Sequence, residues 1–195
     1  MSTTQDPQLY FHIRVVMGMV LGLSMTRLLS GVAKCFQNPQ RYGLSVLHMG
    51  WVLALFLNVI QFWWWEFRLI NIHRWTFELY LFIVIYTSLL YFMCVFIFPD
   101  ELPADTTLEK YFFSQRKPFF ILMALSSALS LIDIIIKRTE YSTINLYFVA
   151  ISCLGMFALF LLAAHNANIW YHKTVMAMFF MVQVTGIAWL LHTLT

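Results

Sequence analysis

Polar side chains recur at helical spacing inside stretches that are otherwise apolar, and they carry most of the chemistry available to this chain. Ser126, Ser130 and Asp133 are separated by four and three residues, so they share one face of a helix. A row of hydroxyl and carboxylate oxygens is suited to binding a cation or passing a proton. Asn58 and Gln61 add amide groups to a neighbouring apolar stretch. The pattern predicts that these residues line a hydrophilic seam.

Arg27 lies inside the first apolar stretch, where a charge is expensive. A charged side chain at membrane depth costs about 2.5–3.5 kcal/mol on insertion scales, so it rarely stays unpaired. At 1.5 Å per residue Arg27 lies about 9 Å from the predicted end of its helix, which lets a long guanidinium reach the interface. The sequence allows either this anchoring role or an interior one, in which Arg27 pairs with a carboxylate or an anion and lines the seam. Alternating helix directions place Arg27 and Asp133 in opposite halves of the membrane, which argues against a direct pair.

The histidines are the candidate cofactor ligands. Alternation of the helices places His12 and His192 near one membrane surface and His48, His165 and His172 near the other. Imidazole is a common axial ligand of haem, so pairs at two depths are compatible with a six-span haem redox protein. The third and fourth predicted spans, however, contain no histidine. Interfacial histidines that make hydrogen bonds are the alternative, and on that basis we expect no cofactor.

Motifs of other functional classes are missing from the sequence. Cys35, Cys94 and Cys153 are far apart and odd in number, so their spacing supports neither a disulfide framework nor a metal site. No phosphate-binding glycine loop, HExxH or GxSxG motif occurs. A net charge of +3 without a basic cluster gives no indication of a nucleic-acid partner. We therefore expect a protein that is not an enzyme and binds no metal.

The polar residues lie in six apolar runs, each near the length that crosses a bilayer. Hydrophobic residues make up 61% of the chain and charged residues 11%, whereas a soluble domain has about 25% charged residues. A hydrocarbon core of roughly 30 Å takes about 20 apolar residues in a helix. We predict an all-α integral membrane protein, a single domain over 1–195 in contact with the lipid bilayer and built from six transmembrane helices. The predicted spans are 12–33, 44–66, 76–98, 118–137, 144–165 and 171–192.

The longest link, 99–117, is also the most charged and divides the six spans into two sets of three. Residues 108–115 show the helical spacing of apolar side chains, which indicates either a short interfacial helix or an ordinary solvated loop. Three spans in each half would place the halves in opposite orientations, as in the inverted repeats of many transporters. The division therefore suggests a 3+3 inverted pseudo-repeat.

Small residues recur every four positions on two of the predicted helices. Such stripes let another backbone approach closely, as in GxxxG packing. We expect the two stripes to meet, or one of them to meet its copy in a homo-oligomer. The first helix carries Gly18, Gly22, Thr26 and Ser30, and the second carries Gly50 and Ala54.

Tryptophans mark one end of the second and third predicted spans. Trp63, Trp64 and Trp65 end the second span and Trp75 begins the third, an arrangement typical of an aromatic belt that anchors helices at the headgroups. Lysines and arginines are almost evenly divided between the two sides, so the positive-inside rule decides little here. We expect a bacterial inner-membrane protein with a cytoplasmic N-terminus.

Together these features predict a small channel or transporter that moves an ion or a small solute through the seam. The alternative is a non-enzymatic membrane subunit that senses a condition, or docks a protein partner through the 99–117 link. A six-span haem redox protein is the third hypothesis.

Overall fold

The computed structural model describes residues 7–72, 75–103, 105–137 and 143–193, and within these ranges the chain is helical without any strand. The all-α prediction is therefore confirmed for this part of the chain. A 3₁₀ turn over Glu66–Asn71 extends the third helix. The α-helices are α1 (Pro7–Gln37), α2 (Pro39–Tyr42), α3 (Val46–Trp65), α4 (Phe77–Ile97), α5 (Leu108–Ile136), α6 (Thr143–His165) and α7 (Ile169–Thr193).

Five helical segments in the described ranges are long and apolar enough to cross a membrane, which indicates an integral membrane protein. α7 occupies the position of the sixth predicted span, but over the described residues it is not in this group. Six spans and the 3+3 inverted pseudo-repeat therefore stay predictions, as do the bacterial inner membrane and the cytoplasmic N-terminus. The five segments are Tyr10–Gln37, Val46–Ile70, Phe77–Ile97, Leu108–Ile136 and Leu146–His165.

Side-chain caps set where two of the long helices begin. Thr76 accepts a hydrogen bond from the backbone N–H of Leu79 at 3.3 Å, at the start of α4. Thr107 accepts one from the N–H of Lys110 at 3.4 Å, at the start of α5. α5 begins ten residues before the predicted start of this span at 118, and Pro118, a residue typical of a first helical turn, lies inside the helix. The second half of the charged link is thus the beginning of α5.

α3 lies at the centre of the bundle. It packs against α1, α4, α5 and α7, while α1 packs on α4, α4 on α5, α5 on α6 and α6 on α7. Trp51, near the start of α3, is fully buried, and four phenylalanine rings surround it at centroid distances of 5.2 to 6.3 Å. We call Trp51 and these four rings the aromatic cluster. The rings are those of Phe119, Phe120, Phe160 and Phe179.

The small-residue stripe of α3 faces α7. A Cβ added to Gly50 would clash with the Sδ of Met176, so the absence of a side chain there permits the close approach of the two helices. Ala54 is fully buried, and its carbonyl accepts a hydrogen bond from the side chain of Gln183 on α7. The α3 stripe is therefore used in packing, but against α7.

The small-residue stripe of α1 is mostly left uncovered. A Cβ added to Gly18 would lie 3.4 Å from the ring of Trp63 on α3, whereas a Cβ added to Gly22 would meet no atom within 4 Å. Thr26 and Ser30 are exposed. The two stripes therefore do not pack on each other within this chain, because that of α3 faces α7 and most of that of α1 is uncovered. Homo-oligomer formation through α1 stays a prediction.

Candidate functional site

Three ionisable side chains are buried together where α3 and α5 end on the same side of the bundle. The Nζ of Lys137 lies 2.7 Å from the Oε1 of Glu66 and 2.7 Å from the Oδ1 of Asp133. It also donates a hydrogen bond to the Oδ2 of Asp133 at 2.9 Å. The Lys137 side chain is fully buried, and the side chains of Glu66 and Asp133 are 3% and 6% exposed. We call these three residues the ion cluster.

Local geometry alone brings two members of the ion cluster together. Asp133 and Lys137 are four residues apart, the spacing at which opposite charges meet on a helix. The backbone N–H of Lys137 also donates to the carbonyl of Asp133 at 3.0 Å, which holds the last turn of α5 in place. Glu66 opens the 3₁₀ turn after α3, so its place in the cluster depends on how α3 and α5 pack.

Burial makes the ion cluster energetically demanding. Charges removed from water need close and well-bonded partners, and loss of one partner typically costs about 3–5 kcal/mol. A second cation lies at the edge of the cluster, since Arg68 is close enough to Asp133 to interact with its charge. The Arg68 guanidinium lies over the ring of Trp65, 4.6 Å from its centroid. Two acids therefore face two cations at this end of the bundle.

The ion cluster borders a cavity of about 210 Å³ between α3, α4, α5, α6 and α7. Asn58, Gln61, Ser130 and Asp133 all line it. The structure thus brings four of the sequence-predicted lining residues to one place, although they come from two helices. Their part in transport stays a prediction.

Several hydroxyl groups in the cavity wall donate hydrogen bonds to other atoms of the protein. Ser130 donates to the carbonyl of Ser126 at 3.0 Å, so the 2.6 Å contact between the Tyr86 hydroxyl and the Ser130 Oγ has Tyr86 as donor. Ser127 and Ser152 each donate to a carbonyl one turn earlier in their own helix. The hydroxyls of Ser127, Ser130, Ser152 and Tyr86 are therefore not free to donate to a ligand.

Two glutamines tie α7 to α3 across the cavity. The Nε2 of Gln61 donates to the carbonyl of Gln183 at 2.7 Å, and the Nε2 of Gln183 donates to the carbonyl of Ala54 at 2.9 Å. A carbonyl can only accept, so the second bond fixes which way the Gln183 amide points. Its Oε1 is buried and meets no hydrogen-bond donor among the described residues. The Oε2 of Glu66 is likewise buried and has no hydrogen-bond donor among the described residues.

Arg27 lies away from this cavity, near the other end of the bundle. Its Nη1 is 2.7 Å from the Oδ1 of Asp100, and its Nη2 donates to the carbonyl of Phe98 at 2.9 Å. Its side chain is 24% exposed and that of Asp100 is 89% exposed. Arg27 thus pairs with a carboxylate, as one of its predicted roles required, but it does not line the cavity with Asp133.

No protein-family model, curated protein or solved structure matches this chain. Its function is therefore inferred from the cavity and the ion cluster themselves.

Aromatic side chains surround the end of the bundle that holds the ion cluster. Trp63 and Trp64 are exposed, and the guanidinium of Arg14 lies 5.2 Å from the centroid of the Trp63 ring. Trp75 is half-buried. Trp65, predicted as an interface anchor, lines the cavity. α1 begins at this aromatic end, and its location at a membrane surface stays a prediction.

Two buried histidines lie toward the opposite end. The Nε2 atoms of His48 and His172 are 2.8 and 2.9 Å from backbone carbonyls. Both rings lie against Phe112, at centroid distances of 6.4 and 6.0 Å. These contacts correspond to the hydrogen-bonding alternative for the histidines. His12 is exposed, and the side chain of His192 lies outside the described residues.

The charged link is held by side chains of its own chain. Lys34 donates to the carbonyl of Asp100 at 3.2 Å, and Ser45 donates to the Oε2 of Glu109 at 2.6 Å. Leu102 within the link is buried. A protein partner that docks on 99–117 stays a prediction.

The sequence interpretation missed Glu66, Lys137, Tyr86 and Gln183 as members of the site. One signal was available, because Asp133 and Lys137 have the helical spacing of an ion pair. Glu66 follows three tryptophans and therefore resembles an interface residue in sequence. Nothing local distinguishes Tyr86 or Gln183 from other polar residues in apolar helices.

Proposed function

We propose that the protein is a membrane transporter that binds an ion or a small solute in the cavity beside the ion cluster. The observation that carries this proposal is a buried Lys137 shared by two carboxylates at the wall of a 210 Å³ cavity. Ionisable groups within transmembrane segments are costly and typically mark ion or substrate pathways. Apolar side chains would pack the same space at lower cost, so the charges favour a role beyond packing.

A carrier fits this geometry better than an open channel. Phe160 and Phe179 belong both to the cavity wall and to the aromatic cluster. Trp51, at the centre of that cluster, is fully buried. A solute that enters from the end with the ion cluster therefore meets packed rings, and passage requires helices to move, as in alternating access.

The ion cluster supplies a means of coupling binding to such movement. Lys137 and Asp133 belong to the end of α5 and Glu66 to the end of α3, so their attraction holds these two ends together. A ligand shifts a conformational equilibrium only if it interacts differently with the two states. A ligand that alters the charge balance beside Glu66 meets this requirement, because it changes the attraction between α3 and α5.

Uptake into vesicles tests the proposal. Purified protein in liposomes receives radiolabelled sodium, rubidium or benzylammonium in separate experiments, with protein-free liposomes as the baseline. We expect uptake of at least one probe above this baseline. Asp133→Asn should lower that uptake at least about ten-fold, equivalent to ~1.4 kcal/mol, because Lys137 loses one of its two carboxylates.

Glu109→Gln is the matched control for this experiment. It makes the same acid-to-amide change toward the other end of the bundle, where Glu109 accepts a hydrogen bond from Ser45. Uptake by this variant should equal that of the original chain. Baseline uptake of all three probes by folded, reconstituted protein would overturn the proposal, and so would equal losses in the two variants.

A further inference from the structure

The cavity contains two buried oxygen atoms that lack hydrogen-bond donors among the described residues. They are the Oε2 of Glu66 and the Oε1 of Gln183, and both residues are 3% exposed. Both residues line the cavity. Buried polar atoms without partners cost about 1–3 kcal/mol each and are rare in native proteins. An acceptor without a donor at a cavity indicates that a ligand brings the donor.

The other polar groups of the wall do not supply these donors. Ser127, Ser130 and Ser152 already donate to backbone carbonyls, and Tyr86 donates to Ser130. The amide of Asn58, which offers both a donor and an acceptor, also lines the cavity. The charged groups that face Glu66 are Asp133 and Lys137, with Arg68 at the edge of the cluster. Ser126 and Asn58 bring donors of their own to the wall, but neither bonds to these two oxygens.

The remainder of the wall is apolar and aromatic, which favours an organic ligand over a metal ion. Phe62, Phe148, Phe160, Phe179 and Val182 form much of it. A metal cation of the calcium type takes six to eight oxygen ligands, whereas aromatic rings attract organic cations through their faces. An apolar cavity of about 150 Å³ takes benzene, so 210 Å³ holds a ring with a short substituent.

Lys137 shows how this end of the cavity holds an amine. Its Nζ is a primary alkylammonium group that lies 2.7 Å from the Oε1 of Glu66. The second oxygen of the same carboxylate has no donor among the described residues. A ligand with a similar group would find the same chemistry on the cavity side of Glu66.

We propose that the cavity binds a small organic ammonium whose N–H group donates to the Oε2 of Glu66. The apolar body of the ligand packs against the phenylalanine side of the wall. The Oε1 of Gln183 belongs to an amide bonded to Ala54, which is about 18 Å from Glu66 along α3 at 1.5 Å per residue, so it is left to another donor. This inference rests on the proposed function, because it names the ligand class of the same cavity.

Calorimetric titration of the protein in phosphatidylcholine nanodiscs tests the ligand class. The probes are benzylammonium, the neutral benzyl alcohol and sodium ion, each corrected with empty nanodiscs. Benzylammonium should bind at least about ten-fold more tightly than benzyl alcohol, the effect of one hydrogen bond to a charged group. Sodium should not compete with it. Equal affinity for the two benzyl probes, or competition by sodium, would overturn the inference.

Two variants locate the binding. Glu66→Gln should remove the preference for benzylammonium and leave benzyl alcohol unaffected, and this variant retains the one-to-one pair of Asp133 with Lys137. Glu109→Gln, which makes the same chemical change outside the cavity, should bind like the original chain. If Glu66→Gln does not fold, Gly186→Leu replaces it, because Gly186 lines the cavity and the added side chain fills it. That variant should bind neither benzyl probe; unchanged benzylammonium binding by it would contradict the assigned site.

The experiments distinguish a failure of the proposed ligand class from a failure of the proposed transport function. Sodium or rubidium uptake that depends on Asp133, without any binding of benzylammonium, overturns the ligand class and supports the transporter. Benzylammonium binding that requires Glu66, without uptake of any probe, overturns the transporter and supports the ligand class.

Discussion

Two ion pairs of the same 2.7 Å length lie at opposite ends of the bundle, in different surroundings. The ion cluster holds Lys137 between Glu66 and Asp133 with almost no exposure. Arg27 pairs with Asp100 at the other end, where the partner carboxylate is 89% exposed. Water screens the second pair but has little access to the first.

The difference shows that bond length alone does not report what an ion pair contributes. Exposed pairs contribute about 0–1 kcal/mol, whereas removal of one partner from a buried pair costs about 3–5 kcal/mol. The Arg27 pair is therefore a replaceable anchor for the start of the charged link. The ion cluster, in contrast, is tied to the packing of α3 against α5. If one of its charges is removed, this packing leaves an unpaired charge buried, at a large cost in stability.

Lys137→Met should have the largest effect on stability. It leaves Glu66 and Asp133 buried without their shared cation, so the free energy of unfolding should fall by about 3–5 kcal/mol. Unfolding in mixed micelles by titration with dodecyl sulfate, followed by tryptophan fluorescence, measures this. The triple variant Lys137→Met, Glu66→Gln, Asp133→Asn removes every charge of the cluster and should recover much of the loss. A single variant as stable as the original chain would contradict the comparison.

Gly31→Ala tests whether packing, rather than the Arg27 pair, secures the opposite end. A Cβ on Gly31 would clash with the ring of Phe98, a rigid neighbour. The variant should lose about 1–3 kcal/mol, as overpacked sites do. Gly22→Ala is the control on the same helix, where nothing lies within 4 Å of the new atom. Equal stability of the two variants in the micelle titration would mean that Gly31 is not a close contact.

Tyr86→Phe probes the hydrogen-bonded wall next to the ion cluster. The change removes the 2.6 Å bond to Ser130 and should cost about 1 kcal/mol. Tyr91→Phe serves as its control on the same helix, because the described residues provide no hydrogen-bond partner for that hydroxyl. The two variants are compared in the micelle titration, and a Tyr91 effect as large as the Tyr86 effect would show that the wall bond is unimportant.

Arg27→Met should have the smallest effect. The loss expected for an exposed pair is about 0–1 kcal/mol, and it should shrink further near 1 M salt, where the Debye length is about 3 Å. Uptake into vesicles should be the same as for the original chain, because Arg27 lies outside the cavity. A loss of uptake as large as that of Asp133→Asn would restore the pore-lining role that the sequence suggested for Arg27.

About half of the candidate site was predictable from local patterns. Helical spacing places Ser130 with Asp133 and Asn58 with Gln61, and all four line the cavity. Gln183 could not be found this way, because its importance depends on the carbonyl of Ala54, far away in the chain. The helical spacing of apolar side chains in 108–115 already indicated a helix before 118, and the cap at Thr107 sets where α5 begins.

The sequence by itself determined the apolar helices, their membrane location and the meeting of Asp133 with Lys137. These follow from composition and from a helical period that makes residues four apart neighbours. Tertiary structure alone decided that Glu66 completes the ion cluster, that the α3 stripe packs on α7, and that Arg27 pairs with Asp100. The physical reason is that apolar helices in lipid have similar surfaces and little hydrophobic preference among partners. Which faces meet is therefore set by the fit of the whole bundle.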